Sequence, residues 1–199
     1  MKKFELTNEF ITNMFGTKLF RIRALVEFGD VEAGELGGYV EKESNLGHDD
    51  NAWVYDNAWV YGNARVYGDA LVYDNARVYD NAWVYGDAQV SGDALVYGNA
   101  QVSGDARVCG DARVCGNGDY AYAHGFGSVN RTTTFFRLKD GGVGVRCGCF
   151  YGTLAQFRDK IRETHGETKK AQEYLMLADL MELRFEEDEN EVGNRKYVE

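Results

Sequence analysis

The sequence predicts a mainly β protein, a solenoid of very short strands followed by a small α+β module. Three observations predict it. Eleven uninterrupted hexads run from Asp50 to Cys115, each reading [Gly/Asp]-[Asn/Asp]-Ala-x-Val-[Tyr/Ser/Cys]. Proline is absent, which suits a continuous backbone ladder that can spare no N–H. After Gly118 the six-residue period stops, and strand-like and helix-like spacings replace it. A period held over a third of the chain cannot be a set of independent elements, because each unit is stable only against its neighbours.

Within the hexads, one Val recurs from Val54 to Val114 and one Ala from Ala52 to Ala112. The neighbours of each Val are mostly large or charged, so a short x-Val-Tyr strand turns Val inward and its flanks outward. The Gly/Asp-Asn/Asp pair makes the corner: Gly tolerates positive φ, and Asn or Asp bonds back to the backbone. Read as Val-Tyr-Gly-Asn-Ala-Arg, the unit resembles the hexapeptide repeat of the left-handed parallel β-helix, as in hexapeptide-repeat acyltransferases. That resemblance covers residues 50–115 and implies a left-handed, triangular solenoid with three hexads per coil. Residues eighteen apart would then stack.

On that coil length three outward faces can be written down. The first carries Trp53, Tyr55, Leu71, Tyr73, Gln89, Ser91, Arg107 and Cys109. The second carries Trp59, Tyr61, Arg77, Tyr79, Leu95, Tyr97, Arg113 and Cys115, and the third Arg65, Tyr67, Trp83, Tyr85, Gln101 and Ser103. Asn63, Asn81, Asn99 and Asn117 form a corner column suited to an amide ladder, and Asp69, Asp87 and Asp105 an acidic one. Stacked tyrosines stabilise coils, and outward aromatics also make a contact surface. The second face keeps tyrosine longest, so Trp59, Tyr61, Tyr79 and Tyr97 are the expected self-association surface. The family resemblance implies a trimer.

An open β-helix exposes strand edges at both ends. Residues 1–49 are expected to cap one end, with strands at Lys18–Leu25 and Gly37–Glu41. Leu46 is out of register with the later valines, so regular coils are expected to begin after it, over residues 50–118. Residues 119–185 read as a ββαα module. Thr132–Leu138 is one strand, Lys139-Asp140-Gly141-Gly142 a hairpin turn and Val143–Phe150 a second strand. Thr153 and Gln156 form a capping box, Leu154, Phe157 and Ile161 an apolar helix face, and Gly166 a stop. A second helix is expected from Thr168 to Phe185, with Ala171, Tyr174, Leu175, Ala178 and Met181 at helical spacing. Residues 186–199 read as a loose acidic tail.

The whole chain resembles hexapeptide-repeat proteins of phages and prophages of Gram-positive bacteria. The resemblance lies in Ala24-Leu25 through Gly34-Glu35-Leu36-Gly37-Gly38-Tyr39, in Thr133-Thr134-Phe135-Phe136 and in Cys147-Gly148-Cys149-Phe150. It implies a phage or prophage setting, a host or phage protein as partner and, in that setting, inhibition of a host defence. It brings no settled activity.

The bulk composition narrows the function classes. A formal charge of −10 argues against nucleic acid as a partner. No apolar run could span a bilayer, no secretory h-region follows Met1, and four cysteines suit reduced thiols, so a cytoplasmic location is expected. Acyl transfer from an acyl-CoA is what the fold family implies, and it needs a histidine base. The hexads contain none; His48 and His124 flank them, and His124 is the candidate because Gly125 and Gly127 leave room around it. His165 belongs to a helix end. Cys147-Gly148-Cys149, read as one strand, points both thiols to one side but lacks zinc spacing, and Cys109 and Cys115 diverge on adjacent faces. No metal and no cofactor are expected. Gly125-Phe126-Gly127-Ser128 lacks the Lys of a phosphate loop. The Asp columns suggest a nucleic-acid mimic, but Arg65, Arg77, Arg107 and Arg113 interrupt them. The expected function is therefore a non-enzymatic, self-associating scaffold whose modules bind a protein or a small anionic ligand. Phe135, Phe136, Arg137, Arg146, Cys149, Phe150 and Tyr151 are the candidate binding residues, the aromatics serving equally well as module core; Arg131 is a further cation nearby.

Overall fold

The computed structural model describes residues 2–127 and 130–186. The tail expected over 186–199 lies outside the described residues apart from Glu186. Eleven two-residue strands, β4 to β14, recur every six residues from Trp53–Val54 to Arg113–Val114. They form three parallel stacks in which residues eighteen apart pair, as in Trp59↔Arg77↔Leu95↔Arg113. The solenoid is therefore three-sided. Its interior is closed: every repeat Val from Val54 to Val114 and every repeat Ala from Ala52 to Ala112 is wholly buried. At the corners the first residue of the hexad takes positive φ, as Gly68 does at 71° or Asp74 at 60°. At Asp74 and Asp80 the carboxylate accepts from the backbone N–H eighteen residues on, Asp74 Oδ2 from Gly92 and Asp80 Oδ2 from Gly98. The predicted amide ladder is present from Asn63 to Asn81 to Asn99, at 3.1 and 3.3 Å. Asn117 leaves it to accept from the Gln101 N–H at 2.8 Å.

The ladder has a direction, and that direction dictates the caps. Each coil's N–H groups donate towards the next coil, as Trp83 N does to Ala100 O at 2.9 Å. The first coil is thus left with orphan carbonyls and the last with orphan amides. Donors meet the first end. Strands β1 (Phe4–Thr12), β2 (Lys18–Ala24) and β3 (Leu36–Val40) form an antiparallel ribbon whose last strand joins the second face. There the N–H groups of Tyr39 and Glu41 donate to Ala58 O and Val60 O. On the third side Asn45 Nδ2 reaches Gly62 O and Ala64 O at 3.2 and 2.8 Å. On the first, the ammonium of Lys3 reaches Asp50 O and Ala52 O at 3.2 and 2.9 Å. Burial pushes the Lys3 pKa down to about 8 against the pull of Asp50, Asp49 and Asp69. Gly38 is required by contact: a Cβ there would lie 2.7 Å from Ala58 O.

Acceptors meet the last end. Strands β15 (Tyr120–Phe126), β16 (Arg131–Arg137), β17 (Val143–Cys147) and β18 (Phe150–Thr153) make an antiparallel sheet in that order. Thr134 Oγ1 accepts from Arg107 N at 2.9 Å, and Asp119 Oδ2 from Cys115 N and Gly116 N at 2.9 and 3.0 Å. Strand alternation divides the sheet into two faces. Tyr120, Phe136 and Tyr151 face the coils: Phe136 joins the solenoid core, and the Tyr151 hydroxyl sits where a Cβ on Gly110 would be. Phe135 and Val145 face the helices α1 (Leu154–His165) and α2 (Lys169–Phe185), packing with Leu154, Phe157, Ile161, Tyr174 and Ala178. Thr153 and Thr168 cap these helices, and Gly166 ends the first with φ of 57°.

Four sequence expectations are corrected. The module has four strands, not two. Tyr120–Phe126 is a strand, and the run Val143–Phe150 is broken by a turn at Gly148, whose φ is 56°. Cys147 and Cys149 therefore do not share one strand face. Phe4–Thr12 is a further strand before the two expected near the start. Leu46, though twenty residues before Val66, pairs with it and continues its column.

Candidate functional site

The outward faces carry their aromatics in continuous stacks. On the second face Tyr61, Tyr79 and Tyr97 lie ring on ring, 5.1 and 5.2 Å apart and within 6° of parallel. On the third, Tyr67 and Tyr85 stack at 5.0 Å. Two of the four coil arginines lie over indoles: Arg77 is 4.3 Å from the Trp59 ring and Arg65 6.0 Å from that of Trp83. Such contacts hold cations on the rod and keep it from being a uniform negative surface. Trp53, outward by pattern, is wholly buried because Phe4 and Phe28 pack edge-on against it. Only two of the three indoles remain on the surface.

Burial raises the pKa of Tyr61, Tyr67 and Tyr79, and the rings stacked on either side of Tyr79 push it further. A phenol whose folded pKa lies above its ordinary 10.0 stabilises the fold fully below that pH and loses this contribution as the pH climbs past it. Alkaline titration is therefore expected to show phenolate absorbance and loss of β circular dichroism rising together above pH 10. Ionisation of Tyr61 and Tyr79 at their ordinary pH in an intact solenoid, followed ring by ring by NMR, would contradict the stacking.

The sheet separates the candidate residues of the module. Phe135 and Phe136 are wholly buried on opposite faces, so they are core residues and not a contact surface. Arg137 is buried too, at 5 % exposure; its guanidinium lies over Phe185 and donates to Gly141 O at 3.2 Å. Burial raises the Cys109 thiol pKa, and Arg146 lies close enough to pull partly against it. Tyr151 joins Arg146 on the coil side, its backbone neighbour across the β17–β18 pair. Cys149 and Phe150 open on the helix side instead. There they line a cleft of about 290 Å³ with Arg131, Cys147, Phe157, Lys160, Ile161, Thr164, His165 and Tyr174. Cys147 Sγ accepts from Thr133 Oγ1 at 3.2 Å. Tyr174 donates to Phe126 O at 3.2 Å, and burial pushes its hydroxyl up to about 12. Arg131 comes from β16, and Lys160 and His165 from α1, so no single local motif announces them.

His124 stands outside this cleft, on the exposed end of β15. Its Nδ1 meets Thr132 Oγ1 at 2.8 Å and Asp105 Oδ2 at 3.5 Å. Both partners meet the same nitrogen, so they form no relay through the ring. The other histidines are held locally: His48 Nδ1 accepts from Lys3 N while its ring stacks on Phe4, and His165 lies over Tyr174. None of the four cysteines is in a disulfide, and no cluster of potential metal ligands occurs among the described residues. No described helix is long and apolar enough to cross a membrane.

The coils are similar to the YdcK beta-solenoid repeat, whose family model matches residues 58–73, 70–86, 88–104 and 100–116. No curated protein matches the chain. The matched segments lie inside the stacked coils, and the described module and ribbon lie outside them. The chain is a β-solenoid repeat protein.

Proposed function

We propose that the chain is a non-enzymatic scaffold that self-associates through the second face of its coils and presents several C-terminal modules at one end of a rigid rod. The observation that supports this reading most is the Tyr61–Tyr79–Tyr97 stack, a flat wall of half-buried rings continued by Trp59 and Leu95. A single chain leaves this wall open on one side, and oligomers bury surfaces of this kind. The proposed assembly is a trimer, by resemblance to the hexapeptide-repeat family. Several modules on one rod raise the effective concentration of each for a multivalent partner. A host or phage protein is the proposed macromolecular partner, and blocking a host defence the role in a phage setting.

Sedimentation of the native chain and of Tyr79→Glu tests the reading. The native chain is expected near three times its 22.4 kDa mass. The variant, with one charge at the centre of the wall, is expected to run as a monomer that keeps its β circular dichroism at neutral pH and room temperature but melts at a lower temperature. A native monomer at micromolar concentration contradicts the proposal.

A further inference from the structure

We infer that the cleft between the β17–β18 turn and the two helices binds an organic phosphate monoester, the phosphate at its cationic rim and the organic body on its apolar lining. Two cations and an imidazole from two elements meet there: Arg131 at the start of β16, and Lys160 and His165 along the last half of α1. No carboxylate lines the cleft. Arg131 lies across the turn, its Nη1 close to the place a Cβ on Gly148 would take, and the φ of 56° at that turn favours glycine. No ion pair to Arg131 forms among the described residues, and Lys160 pairs only with Glu163, at 2.8 Å on the exposed surface. A surface pair of that kind is weak and yields readily to a dianion.

The rest of the lining selects the ligand's body. Phe150, Phe157 and Ile161 give the lining an apolar part, and Thr164 and Tyr174 add hydroxyls to it. A free inorganic anion would leave the apolar part wet, and a neutral aromatic would leave the cations unanswered. A monoester satisfies both halves, as binding sites with an apolar lining and a few convergent polar groups do. The inference rests on reading the module as the binding part of the scaffold, yet the cleft is complete within one chain.

Calorimetric titration of the full chain with phenyl phosphate tests it, with phenol and inorganic phosphate titrated alongside. Phenyl phosphate is expected to bind at least about tenfold more tightly than either, and Arg131→Gln or Lys160→Gln to weaken it by about tenfold, as loss of a charge-assisted hydrogen bond does. Both side chains project from the surface, so the variants keep the fold. Phenyl phosphate is also expected to slow alkylation of the exposed Cys149 without slowing that of Cys115, which lies on the coils. No binding of phenyl phosphate, or binding unchanged in both variants, overturns the site. Monomeric Tyr79→Glu is expected to bind one equivalent per chain. A native chain that assembles without binding phenyl phosphate overturns the cleft and leaves the scaffold reading intact.

Discussion

Phe136→Ala is expected to lower the stability of the chain by about 3–5 kcal/mol, the range for truncating a buried aromatic. The ring is wholly buried in the solenoid core, although it belongs to the module's sheet. It is the plug that closes the last coil. Gly144, paired with it across the sheet, leaves room for it: a Cβ there would lie 2.6 Å from the ring. Truncation should therefore loosen the coil–module junction before it loosens the coils. Amide exchange separates the two. The Arg107 amide, held by Thr134 Oγ1, should lose protection, and the Tyr73 amide, bonded to Val90 O deep in the rod, should keep it. Phe135→Ala, of similar size, should instead disturb the helix side, where Phe135 meets Phe157 edge-on at 6.0 Å. Equal effects of both variants on Arg107 would refute the two-faced sheet.

Asp119→Ala should have a comparable cost by a different mechanism. The Asp119 carboxylate accepts from the Cys115 and Gly116 amides and from the Cys115 thiol at 3.0 Å. Each backbone donor left without an acceptor costs about 1–3 kcal/mol. Asp119→Asn keeps one acceptor oxygen and should lose less. The alanine variant also leaves an unsatisfied row of N–H groups at a strand edge, which invites another chain to pair. Denaturant unfolding should therefore show reduced stability, and light scattering should show concentration-dependent association absent from Asp119→Asn. Equal stability of the two variants would mean that Asp119 does not close the rod.

The coils were legible because their geometry is written into every hexad. Val and Ala mark the inside, Gly or Asp the left-handed corner, and Asn63, Asn81 and Asn99 the ladder. The helices were legible for a similar reason, since Thr153, Thr168 and Gly166 mark their ends. The first cap was legible only as strands before the coils, one of which closes the second face through the Tyr39 and Glu41 amides. The remaining caps are single polar side chains, Lys3, Asn45, Thr134 and Asp119, matched to the polarity of the backbone at each end, and a single residue has no period. Trp53 obeys the outward pattern, and only the ribbon folded over it makes it core. The β17–β18 turn was hidden because Gly148 alone interrupts a strand-like run. The candidate residues of the module were divided by strand alternation, which becomes readable only once the strand limits are known. Arg131, Lys160 and His165 meet only after the sheet and helices have packed.

The face assigned to self-association is tested most directly by hydroxyl-radical footprinting across a dilution series, read residue by residue by mass spectrometry. Tyr61, Tyr79 and Tyr97 are expected to be shielded at high concentration and to become reactive together on dilution, while Tyr73 on the first face stays equally reactive throughout. Reactivity of those three rings that does not change with concentration, or shielding that falls on Tyr73 instead, would contradict the account.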